Sequence, residues 1–176
     1  MHKAWLISIS AGALIGFIAI AGAAPAKTSL TFTDLGATLS VSGNLANLSS
    51  GNFEITLAAT GTETVVCGDA GGTDPAPQEV VLTGLQVVAA PGGGNLAAFA
   101  DLASSAPAAP ACAPAADEAI AAQQDVTFTK ALLEVRPAQP DPNLAPLKPV
   151  RCIQCTFQAT VDGPTKPQSC FTLFTC

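Results

Sequence analysis

Phe53-Glu54-Ile55-Thr56-Leu57-Ala58-Ala59-Thr60 puts Phe53, Ile55, Leu57 and Ala59 on one side of the chain and Glu54, Thr56 and Thr60 on the other. Period-two alternation marks a half-buried β-strand, because successive side chains leave opposite faces. The odd-numbered face continues through Val65 to Cys67, with Glu63 as the exception, so Cys67 is expected to face the core. Gly61, within this run, suggests a bulge or a bend.

The same period recurs on both sides. Leu30 and Phe32 alternate with Ser29, Thr31 and Thr33, and Leu35, Ala37, Leu39 and Val41 alternate with Thr38, Ser40 and Ser42. Residues 44–52, rich in Asn, Ser and Gly, read as a turn. Residues 80–88 form another strand candidate, interrupted by Gly84, and 96–102 a weaker one. The segment 125–135 is a strong strand whose apolar phase changes between Phe128 and Leu133, as a bulge produces. Residues 104–114 are rich in Ala and Pro and read as irregular. A short helix is expected over 115–124, where Asp117 and Glu118 suit its first turn.

Five prolines in 137–149 exclude a central strand or a helix there, and predict an extended crossing or linker. After it, Ile153, Cys155, Phe157, Ala159 and Val161 alternate with Gln154, Thr156, Gln158 and Thr160. A turn over 162–168 then returns the chain as a last strand over 169–176, a hairpin with a longer loop. The fold class is therefore all-β. Seven or eight short strands separated by turns predict an immunoglobulin-like Greek-key β-sandwich with a C-terminal disulfide-linked hairpin. A jelly roll or a partly open β-barrel is the alternative. The body spans 27–136, the crossing 137–149 and the Cys-rich hairpin 150–176, packed on the same domain.

The first 26 residues read differently. His2 and Lys3 precede an uncharged run whose apolar part is 5–20, followed by the small-residue end Ala21-Gly22-Ala23-Ala24-Pro25-Ala26. This is the pattern of a secretory signal peptide. Cleavage after Ala23 or after Ala26 fits, and the polar start at Lys27 favours Ala26. The run is long enough to span a bilayer if retained, but Gly12, Gly16, Gly22 and Pro25 weaken it as a permanent helix. The expected location is secreted or cell-surface, with no membrane association after cleavage.

Six cysteines follow: Cys67, Cys112, Cys152, Cys155, Cys170 and Cys176. An even number in an oxidising compartment predicts disulfides. Cys67 ends a strand and Cys112 precedes the next strong one, so these two are paired. Folding about 162–168 brings Cys155 near Cys176 and leaves Cys152 for Cys170. The exchange, Cys152 with Cys176 and Cys155 with Cys170, fits nearly as well. A redox role for Cys152-Ile-Gln-Cys155 calls for a helix N-terminus, whereas here the motif opens a strand. A four-cysteine zinc site is geometrically possible, but its second pair is not a CxxC.

Composition excludes more than it assigns. The chain carries 7 Lys and Arg against 13 Asp and Glu, a net charge of −6. That sign disfavours nucleic acid and anionic membrane surfaces. The single His and the single Trp are His2 and Trp5, and there is no Tyr. Beyond the signal there is thus no imidazole for a Ser-His or Cys-His nucleophile pair or for a histidine metal site. The seven later Phe residues (Phe32, Phe53, Phe99, Phe128, Phe157, Phe171 and Phe174) are expected in the core. Asp69 and Asp74 on a Gly-rich loop read as a turn rather than a calcium site. Asp117 and Glu118, being adjacent, are poorly placed to flank one scissile bond. No GxSxG, GxxxxGK[ST] or GxGxxG occurs. Asn47-Leu48-Ser49 is a glycosylation sequon on a turn. No cofactor or metal is expected.

Cys67, Gly71-Gly72, Pro75 and Pro77, the strand around Gly84, and Pro110-Ala111-Cys112 ahead of Val126-Thr127-Phe128 form a pattern that resembles small secreted bacterial β-sandwich proteins. It covers about half the chain and implies a fold and a compartment but no activity. The expected function is that of a non-catalytic extracellular structural or adhesive protein whose strand edges or loops meet an extracellular protein or surface partner. A secreted ligand-binding or inhibitory module comes second, and a carboxylate-dependent hydrolase third.

Intact mass of the exported protein checks this reading. The expected product begins at Lys27, weighs six hydrogens less than its reduced form and takes up no thiol reagent without reductant.

Overall fold

The computed structural model describes residues 27–68, 74–93, 96–108, 112, 122–141 and 143–176. Among these residues nine strands form two antiparallel sheets. They are β1 (Ser29–Asp34), β2 (Leu39–Leu45), β3 (Gly51–Cys67), β4 (Gln78–Ala90), β5 (Ala97–Ala103), β6 (Ala122–Pro137), β7 (Arg151–Thr156), β8 (Gly163–Thr165) and β9 (Ser169–Leu173). The first sheet has the order β5-β2-β1-β8 and the second β4-β3-β6-β7-β9. No helix occurs among the described residues, so none there is long and apolar enough to cross a membrane.

The longest strand, β3, is central. It pairs along its length with β4 on one side and β6 on the other. Its odd-numbered residues Phe53, Ile55, Leu57, Ala59, Val65 and Cys67 are buried, as their spacing predicts. Facing them from the other sheet are Phe32, Leu39, Val41 and Leu45, with Phe128, Leu133 and Val135 of β6 in the same core. Phe32 of the first sheet meets Phe157, just past β7, edge to face at 5.2 Å, the arrangement that ring quadrupoles favour. The register shifts between Thr60 and Gly61, where Thr60 faces Lys130 and Gly61 faces Phe128, so Thr129 is the bulged residue. A Cβ on Gly61 would lie 2.7 Å from the Thr127 carbonyl oxygen. The glycine and the phase change in β6 are thus two halves of one bulge.

Not every expectation falls on described residues. The expected signal segment, with Ala26 at its cleavage point, lies outside the described residues, as do Asp69, the Asp117-Glu118 pair and 115–121 of the expected helix. Gln123 and Gln124, the end of that helix, belong instead to β6. The proline-rich stretch joins two neighbouring strands of one sheet, because β7 pairs with β6. Asn143 donates its N–H to the Asp141 carboxylate at 2.9 Å, a local turn within this crossing.

The C-terminal segment departs furthest from a hairpin. Strand β7 stops at Thr156, and the chain then crosses to the first sheet, forms β8 beside β1, and returns as β9 beside β7. Val161, expected on the apolar face, is 80% exposed, and Thr160, expected outside, is buried. The cause is polar. Thr160 Oγ1 accepts a hydrogen bond from Phe128 N–H at 2.8 Å, and its hydroxyl is bonded to the Asp34 carboxylate. Asp34, only 2% exposed, also accepts from Gly36 N–H at 2.9 Å. Gly36 takes up the left-handed backbone, and its carbonyl accepts from Val126 N–H at 3.1 Å. Burial holds the Asp34 carboxyl above the usual aspartate range. The bonds from Thr160 and Gly36 pull it down, and the charges of Asp125 and Asp162 push it up.

The disulfides follow from this path. Cys67 is joined to Cys112, Cys152 to Cys176, and Cys155 to Cys170. The pairs Cys155 with Cys176 and Cys152 with Cys170 are therefore corrected to the exchange. A simple turn centred in 162–168 would bring Cys155 near Cys176. The excursion through β8 instead sets Cys155 opposite Cys170 and Cys152 opposite Leu173. Cys176 then reaches back to Cys152. With every cysteine in a disulfide, the zinc and redox readings of the CxxC have no thiolate to use.

Thr160→Val leaves the Phe128 N–H without its acceptor and the carboxyl without a donor. Each such buried group costs about 1–3 kcal/mol, so urea denaturation should show at least about 2 kcal/mol lost, with Thr160→Ser close to wild type. The raised Asp34 pKa makes native protein bind more protons than unfolded protein between 3.8 and the folded value. This group's contribution is therefore full below 3.8 and lost as pH rises through the folded value. The stability of wild type relative to Asp34→Asn should be higher at pH 4 than at pH 7, as urea midpoints at the two values will show.

Candidate functional site

Each sheet of an open sandwich ends in two edges whose backbone groups lack a partner, and proteins blunt such edges or use them. Four strands lie at edges here: β5 and β8 of the first sheet, β4 and β9 of the second. Strands β4 and β5 close on each other. Ser105 N–H donates to Thr83 O at 2.8 Å, and Gln86 Nε2 donates to Ala100 O at 3.0 Å. A Cβ on Gly84 would strike the Ala103 carbonyl, so the glycine that interrupts the alternation of β4 permits this approach. Strand β8 has only three residues, one of them Pro164. That leaves β9, Ser169-Cys170-Phe171-Thr172-Leu173, with no charge and no proline.

The backbone of β9 can be assigned group by group. Phe157 N–H donates to Thr129 O at 2.9 Å, which sets the parity of β7. Ile153 and Cys155 bond toward β6, while Cys152, Gln154 and Thr156 bond toward β9. The Cα atoms of Cys155 and Cys170 lie 4.1 Å apart, the short spacing of a non-hydrogen-bonded antiparallel pair. Ser169, Phe171 and Leu173 thus bond to β7. Cys170 and Thr172 point their N–H and C=O groups away from the sheet, where no further strand lies among the described residues.

Both faces of β9 are open. On the inner side a cleft of about 290 Å³ is lined by Thr28, Leu30, Ile153, Cys170, Phe171 and Thr172. On the outer side a hollow of about 440 Å³ is lined by Lys148, Val150, Arg151, Leu173, Phe174 and others. Arg151 Nη1 donates to Thr28 Oγ1 at 3.1 Å and so ties the start of β1 to the start of β7. Phe171 is half-exposed and Phe174 fully exposed, which corrects their expected place in the core; the other five Phe are buried. The signal was present in the sequence. With Cys170 on the same parity as Thr172, a strand whose cysteine faces β7's apolar side must turn Phe171 and Leu173 outward.

Other sequence candidates resolve more simply. Asp74 accepts the Cys67 N–H at 2.7 Å and acts as a local turn partner. Asp34, Asp125 and Asp162 gather around Gly36, but no group of three or more metal-ligating side chains is placed to hold an ion among the described residues. Asn47 is exposed at φ 59°, a conformation that Asn tolerates, so its sequon stands on an accessible turn. A second cleft, of about 470 Å³, lies where Pro75, Val80 and Leu82 face Pro107. It contains Glu63, whose carboxylate accepts from Gln124 Nε2, and that amide also donates to Ala108 O at 3.0 Å. Glu63, the exception in the alternation of β3, is thereby held by a partner. Three disulfides and a two-sheet all-β body fit an oxidising, extracytoplasmic setting. Comparison with protein-family models, with curated proteins and with solved structures finds no match to this chain.

Proposed function

We propose that this is an exported, non-catalytic protein of immunoglobulin-like type that works by contact, its last strand β9 accepting an extended segment of an extracellular partner. The observation that carries the reading is the open edge of β9, with the N–H and C=O groups of Cys170 and Thr172 turned outward, no charge or proline in the strand, and no neighbouring strand beyond it among the described residues. An added strand gains main-chain hydrogen bonds along the edge and sends alternate side chains into the inner cleft and the outer hollow. The exposed Phe171 and Phe174 supply the apolar surface that such contacts bury. Two sheets of four and five strands, with connections that change sheet, support the Greek-key reading. The cleft around Glu63 favours, as a second reading, a module that holds a small ligand with an amide or hydroxyl donor.

Thr172→Pro tests the first reading, because it removes one outward N–H and no bond to β7. The variant should keep its three disulfides and its urea midpoint. Washed cells of the producing organism should retain wild type at the surface and release the variant. Equal retention of both would overturn the edge as the contact site.

A further inference from the structure

The charges around β9 specify what kind of segment it takes. Setting aside Lys3, the chain has six cationic side chains: Lys27, Lys130, Arg136, Lys148, Arg151 and Lys166. Arg136 is engaged by Glu54 and Glu134. Four of the others border the open edge. Lys166 lies three residues before β9 begins, on the connection from β8. Lys148 and Arg151 line the hollow beside Leu173 and Phe174 at the other end. Lys27 precedes Thr28, which Arg151 holds. Glu134 shares that hollow, but its carboxylate is bonded to Arg136 Nη2 at 3.1 Å. Asp162 stands on the far side of β8, next to Gly36. In an acidic protein, the edge left unguarded among the described residues is uncharged along its length and positive at both ends.

We infer that the partner segment is an extended peptide with an uncharged centre and acidic residues at both ends. The inference rests on the reading of β9 as the contact edge. Five residues of strand span about 17 Å, so acids flanking a five-residue centre reach Lys166 at one end and Arg151 and Lys148 at the other. A second copy of this chain is the poorer occupant. Antiparallel pairing of two β9 strands sets the Lys166 of each against the Lys148 and Arg151 of the other, and like charges facing across an interface oppose association.

The test uses the full oxidised chain and three labelled nonapeptides. Each has the centre Thr-Val-Thr-Val-Thr, flanked on both sides by Asp-Asp, Ser-Ser or Lys-Lys, and binding is read by fluorescence anisotropy. The Asp-flanked peptide should bind at least tenfold more tightly than the Ser-flanked one, and the Lys-flanked peptide most weakly. Raising the salt should shrink the difference. Thr172→Pro should abolish binding of the Asp-flanked peptide. Lys148→Glu combined with Lys166→Glu, both exposed and outside the core, should reverse the order of preference. Equal binding of all three peptides, lost in Thr172→Pro, would overturn the acidic partner and leave the edge standing. Binding of the Asp-flanked peptide that survives Thr172→Pro, or no binding of any peptide, would overturn both. A wild-type dimer that Thr172→Pro makes monomeric would assign the edge to a second copy.

Discussion

A carboxylate buried between two sheets decides the shape of the C-terminal third of this protein. Asp34 ends β1 inside the sandwich, where an ionisable group is tolerated only if its oxygens are bonded. One donor is local, the Gly36 N–H; the other is the Thr160 hydroxyl, which itself accepts from Phe128 N–H in the opposite sheet. The segment after β7 must therefore pass beneath β1 rather than turn back at once. Once there, it pairs with β1 as β8. Only after this detour does it return to lie outside β7. The overhang of β9, with both faces open, is the outcome of satisfying one buried side chain.

The same constraint separates what could be read from the sequence and what could not. Strands β1 to β4 and β6 announce themselves because each buries alternate residues against a second sheet, and alternation is visible in one dimension. Gly61 and the phase change in β6 are legible separately, although only the register shows them as one bulge. The path after Phe157 is not legible, because the residue that redirects it is a threonine with the same polarity as its neighbours. Its role depends on an aspartate more than a hundred residues earlier in the chain. The disulfide register inherits that blindness. Hairpin geometry alone leaves two pairings nearly equal, and the excursion through β8 chooses between them.

The edge itself was half legible. Alternation in the last strand separates Cys170 and Thr172 from Phe171 and Leu173. What hides the exposure of Phe171 and Phe174 is the general rule that large apolar residues go inside, which holds where a second layer exists to cover them. Here the second sheet has one strand more than the first, and the surplus strand is β9. The other three edges are managed by different means: mutual closure of β4 and β5, and brevity with a proline in β8. Against that background, the lack of any such device on β9 among the described residues departs from the pattern that the other three edges keep.

The two disulfides that hold β9 also fix when it exists. Cys155–Cys170 and Cys152–Cys176 both join β7 to β9 or to the residues just past it. Most of the core lies in β1 to β6, with Ile153, Cys155 and Phe157 added from β7 and just past it. A strand with one open side, packed on a single neighbour, is weakly held until these links close. The β9 edge thus depends on oxidation, which closes both of its links to β7. The edge is loosely held while the thiols are reduced and is set in place where they are lost.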